Sequence, residues 1–131
     1  KNHLVEMVDG VERRLPSSKY YVPGSVLSIN VDSKQAANWG FESKADVYYD
    51  NNPVFKIAPS AITTGQIKPL AWFGKQSLRS GWAWGESYLE DGVAAFEAQV
   101  GKGKVYVYGH QITFRSQTHG TFKWMFNALY K

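Results

Sequence analysis

Cysteine is absent from all 131 residues. That absence removes a disulfide framework, a cysteine-based zinc site and a thiol nucleophile together. It leaves the compartment open, because exported proteins also do without cysteine. No apolar run approaches the ~18 residues that a membrane-crossing helix needs, and no membrane partner is expected. No secretory leader is read in the chain. It opens on Lys1 without a Met, so the expected parent is a longer protein. Neither sign of charge dominates: 15 Lys+Arg against 11 Asp+Glu leave a net +4. The basic residues are dispersed apart from Arg13-Arg14 and Lys102/Lys104. A nucleic-acid binder gathers them on one stripe, so no nucleic-acid partner is expected.

What is present favours β-structure. Apolar residues make up 44% of the chain and aromatics 15%, beside 12 glycines for tight turns. Residues 1–21 are weakly patterned and read as a short helix or irregular lead-in from a longer chain. Residues 22–131 read as a single domain. Val26 to Asp32 alternates, with Leu27, Ile29 and Val31 on one side, as a half-buried strand does. Asp46 to Tyr49 and Val54 to Ile57 are extended runs, and Ala71-Trp72-Phe73 reads as a strand stopped by Gly74. Val93 to Val100 and Val105 to Tyr108 form a hairpin about Gly101-Lys102-Gly103. A helix follows from about Thr118. Phe122, Met125, Phe126 and Leu129 lie on one stripe of it, which is expected to pack on the sheet. The fold class is α+β: a mixed, largely antiparallel sheet packed by a C-terminal amphipathic helix.

The constellations that carry catalysis are thin. His3, His110 and His119 form no H-E-x-x-H motif, no serine sits in a G-x-S-x-G elbow, and the carboxylates are scattered. Gly101-Lys102-Gly103-Lys104 joins two strands, whereas a phosphate loop opens a helix. The stretch Phe114 to Gly120 differs in kind. It gathers Arg115, Gln117 and His119 where a strand hands over to a helix N-terminus, a setting for docking a neighbour or holding a carboxylate. The alternative is that Arg115 and Gln117 brace the loop while Thr118 caps the helix. Trp82 and Trp84, at i and i+2 in an extended stretch, point to one side. They read either as a stacking platform or as buried edge aromatics.

Six blocks in fixed order resemble a known family: Val22-Pro23-Gly24-Ser25-Val26-Leu27, Trp39-Gly40-Phe41, Tyr49 to Phe55, Ser80 to Glu86, Val100 to Val105, and Phe114 to Lys123. They are similar to the C-terminal region of bacterial zinc-carboxypeptidase-like proteins. There, a class I glutamine amidotransferase-like domain follows a carboxypeptidase A-like metallopeptidase domain, and this chain resembles its later half. The family's zinc site, an H-x-x-E pair with a distant histidine, has no counterpart between Val22 and Tyr130. The Cys-His-Glu triad of true amidotransferases is missing as well. The resemblance thus implies a non-catalytic accessory domain of an exported, extracellular or periplasmic enzyme of proteolysis, partnered by its own upstream catalytic domain. It implies no cofactor here, with zinc in that upstream domain. Docking on that domain in turn predicts a sizeable apolar patch on the isolated chain, which would tend to self-associate. The alternative from another class is an independent glycan- or peptide-binding module using Trp82, Trp84 or the Arg115–His119 loop.

Overall fold

The computed structural model describes residues 5–113 and 118–130. Strands β1 (Val5–Val8) and β2 (Val11–Arg14) form a two-stranded sheet of their own. This corrects the expected helical or irregular lead-in. Asp9 and Gly10, both at positive φ, make a two-residue turn between Val8 and Val11. Asp-Gly is the sequence that such hairpin turns favour.

The main sheet has five strands: β3 (Ser25–Val31), β4 (Lys44–Tyr49), β5 (Ile67–Ser80), β6 (Val93–Val100) and β7 (Gly103–Tyr108). Their spatial order is β4-β3-β5-β6-β7, and each neighbouring pair is antiparallel. A short helix, α1 (Pro59–Thr63), precedes β5, and α2 (Phe122–Tyr130) closes the described chain. The architecture is therefore α+β with an antiparallel sheet.

The strong alternations form strands. In β3 every second residue is buried, from Ser25 through Leu27, Ile29 and Val31. The β6–β7 hairpin turns at Gly101-Lys102, with Val100 opposite Gly103 and Gly101 at positive φ. Gly74 does not stop β5. Leu27 pairs with Leu78 while Ile29 pairs with Phe73, so the extra β5 residues bulge out and the ladder resumes to Ser80. Ser77 closes the bulge by donating to the Gly74 carbonyl at 3.2 Å. Among the described residues, the run from Val54 to Ile57 pairs only at Phe55, in an isolated bridge to Val93.

The core lies on the sheet face of Leu27, Ile29, Val47, Tyr49 and Phe73, closed by Val54, Leu89 and Trp124. Trp124 carries the correction of most consequence. The stripe of Phe122, Met125, Phe126 and Leu129 does not pack on the sheet. Trp124, on the other side of the helix, is fully buried, while Met125, Phe126, Leu129 and Tyr130 are exposed. Polar contacts hold α2 in this orientation. The Trp124 indole N–H donates to Asn38 Oδ1 at 2.6 Å, and Asn38 Nδ2 donates to the carbonyls of Asp32 and Leu70. Asn127 Nδ2 donates to the carbonyls of Ala37 and Trp39, and Lys123 Nζ to that of Gly40. Phe41 stacks on Trp124 with ring centres 4.4 Å apart. Buried amide and indole groups this well satisfied fix the helix face more sharply than apolar contact does.

Candidate functional site

Two regions present side chains that the fold does not consume. They lie at opposite ends of β3.

At the Ser25 end, the segment after β5 carries Trp82 and Trp84. Its backbone is held closely. Ser25 Oγ donates to the Trp82 carbonyl at 2.6 Å and accepts from the Trp82 N–H at 3.0 Å. Trp84 and Tyr21 exchange two backbone hydrogen bonds of 2.9 Å each. Glycines flank the pair because nothing larger fits: a Cβ on Gly81 would meet Ser25 Oγ at 2.6 Å, and one on Gly85 would meet the Lys19 carbonyl oxygen at 2.1 Å. Both glycines also sit at positive φ. The indole rings lie 6.4 Å apart and within 12° of parallel, with Trp82 53% and Trp84 54% exposed. The two rings are therefore not buried edge aromatics. Trp84 is fixed further by its N–H, which donates to the Ser18 carbonyl at 2.7 Å. Tyr21 meets Trp82 edge to face at 6.1 Å.

Tyr21 also lines a pocket of about 240 Å³ with Arg14, Ser17, Tyr20, Asn51 and Asn52. Beneath it, the Tyr20 and Tyr49 hydroxyls lie 2.7 Å apart and Tyr49 donates to the Asn52 carbonyl. Burial pushes the Tyr20 phenol up to about 12 and raises Tyr49 further, so both stay neutral under ordinary conditions. Among the described residues, Arg14 is the one charged group lining the pocket.

At the other end of β3 stands α2 with its preceding turn. Arg115 and Gln117 lie outside the described residues. His119 is exposed and stacks on Phe122, the first residue of the helical stripe, at 5.6 Å. Thr118 does not cap α2 with its side chain: it adopts φ 50° and a 3₁₀ turn intervenes. Thr121 anchors that turn instead, its hydroxyl 2.8 Å from the Ile112 carbonyl.

His110 does not join His119 at the surface. It is buried against Trp124 with ring centres 4.8 Å apart, and neither ring nitrogen has a hydrogen-bond partner among the described residues. Burial lowers its pKa to about 3, and the nearby Ala94 backbone offsets only part of that shift. Among the described residues, no three His, Asp or Glu side chains gather as a metal site would require. The chain does hold one H-x-x-E spacing, His3-Leu4-Val5-Glu6, ahead of the stretch that resembles the carboxypeptidase-like family. Glu6 belongs to strand β1 opposite Arg13, and His3 lies outside the described residues. No helix among the described residues is long and apolar enough to cross a membrane.

The sequence singles out Trp82, Trp84 and His119, whereas Arg14, Tyr21, Asn51 and Asn52, which the fold gathers at one pocket, carry no pattern that would mark them. Tyr21 is 63 positions from Trp84, and no local pattern joins them. No family model, curated protein or solved structure matches the chain.

Proposed function

We propose that the chain is a non-catalytic C-terminal accessory domain of an exported bacterial zinc carboxypeptidase, seated against the upstream catalytic domain through the outer face of α2. The observation that carries this reading is the orientation of that helix. Its inner face is fixed by Trp124, Asn127 and Lys123, and its apolar stripe points outward, with Leu129 68% and Tyr130 85% exposed. Trp39 is exposed as well, on the turn that α2 grips through Asn127. A contiguous apolar face on a well-packed domain marks an interaction surface.

The order of the sequence blocks supplies the partner, and the amidotransferase-like relation of this half-domain belongs to the same proposal. His119 borders the stripe, so the Arg115–His119 loop would extend the contact and line the approach to the catalytic domain. Zinc and its ligands belong to that upstream domain. The domain here stabilises or orients it, in an extracellular or periplasmic setting.

Calorimetric titration of the chain with the separately produced upstream portion of its parent tests this. Saturable binding that is lost in the Phe126→Ser/Leu129→Ser variant, and weakened by Arg115→Ala, is expected. Affinity unchanged by the double substitution would overturn docking through α2.

A further inference from the structure

We infer that the tryptophan pair and the adjoining pocket form a binding site for a carboxylate-bearing sugar, a uronic-acid residue within a glycan. The site lies at the far end of β3 from the α2 face and does not depend on it.

The tryptophan platform is rigid. Two half-exposed indoles are held parallel by a backbone locked to Ser25 and Tyr21, with glycines at 81 and 85 where a Cβ would collide. Rings fixed in this way lose little freedom on binding. Their faces carry negative quadrupole charge, which suits the C–H groups on one face of a pyranose ring.

The pocket then narrows the chemistry. Asn51 Oδ1 already accepts from the Val22 N–H, and Asn52 Oδ1 from the Asp50 N–H. Their Nδ2 groups have no partner among the described residues and are left as donors. The Tyr49 proton is committed to the Asn52 carbonyl, so Tyr20 donates to Tyr49 and keeps its own lone pairs for a ligand hydroxyl. Arg14 adds a planar fork of donors suited to a carboxylate. The ligand must therefore be rich in acceptors, bear one negative charge, and offer an apolar ring face.

Size and topology favour sugar over peptide. At about 240 Å³ the pocket lies below the range that holds drug-sized ligands and suits one ring. A peptide bound as an added strand would need a free strand edge, and the local backbone groups of Tyr21 and Trp84 are already paired with each other.

The test is a titration of the whole chain, followed by tryptophan fluorescence. The probes are tetramers of galacturonate, mannuronate and a glucuronate-bearing glycosaminoglycan, with cellotetraose as the neutral comparison. Saturable binding of at least one acidic tetramer is expected, about tenfold tighter than cellotetraose, or ~1.4 kcal/mol. Trp82→Ala and Trp84→Ala should each weaken it about tenfold. Arg14→Gln, on the exposed β2 hairpin, should remove the preference for acidic over neutral sugar while leaving the unfolding midpoint unchanged. Any of four results would overturn the inference: no saturable change with any acidic tetramer, equal binding of neutral and acidic tetramers, binding indifferent to both tryptophans, or an acidic preference that survives Arg14→Gln.

Discussion

The two ends of β3 both expose large apolar side chains, yet they hold them in opposite ways. At the Ser25 end, two separate rings stand on a backbone locked by Ser25, Tyr21 and two glycines, beside a pocket of polar donors. At the Val31 end, the apolar groups form one continuous helical stripe, and polar contacts hold the helix from behind. Isolated rigid rings with nearby donors suit a small ligand, because each contact is directional. A continuous stripe suits a protein surface, because it is mainly area. Exposure alone does not separate the two cases; what anchors the exposed groups does.

The largest effect expected from breaking this contrast is at Trp124. Trp124→Ala removes the ring that closes the core and leaves Asn38 Oδ1 without its donor. It should cost about 3–5 kcal/mol in urea denaturation. Leu129→Ala, one turn on and outward, should stay within about 0.5 kcal/mol.

A second effect separates the interior beneath α2 from the exposed end at Trp82. The folded pKa of His110 is about 3, below the ordinary value of 6.5, so the unfolded chain takes up the proton first. Its contribution is complete above roughly pH 6.5 and is lost as pH falls toward 3, at no more than about 1.4 kcal/mol per pH unit. The unfolding midpoint measured between pH 7.5 and 4.5 should fall accordingly. His110→Phe should flatten that slope.

Gly85 and Gly120 give a smaller contrast. Gly85→Ala forces a Cβ into the Lys19 carbonyl at φ 72° and should cost about 1–3 kcal/mol, displacing Trp84 as well. A Cβ on Gly120 meets nothing within 4 Å, so Gly120→Ala should be neutral or slightly stabilising in the same thermal melts.

Much of the sheet was legible in the sequence. β3 alternates in burial as its sequence alternates, and the β6–β7 hairpin turns at its glycine. The rest escaped for physical reasons. The second half of β5, Lys75 to Ser80, is polar apart from Leu78 and owes its strand conformation to pairing with β3 rather than to any pattern of its own. The β1–β2 hairpin announced itself only in Asp9-Gly10. For α2, periodicity revealed a stripe but not which way it faces. That direction is set by Asn38, 86 residues before Trp124, and a hydrogen bond of that span leaves no local trace. At the tryptophan site the i, i+2 spacing placed both rings on one side correctly. Arg14 and Asn51 join them only through the fold.

The most direct test of the central contrast is sedimentation velocity of the chain and its Phe126→Ser/Leu129→Ser variant, paired with urea denaturation of each. An outward stripe predicts concentration-dependent self-association of the parent chain, a monomeric variant, and unfolding midpoints that coincide. A variant destabilised by about 3 kcal/mol, as a buried aromatic truncation would be, would place the stripe in the core and contradict the account.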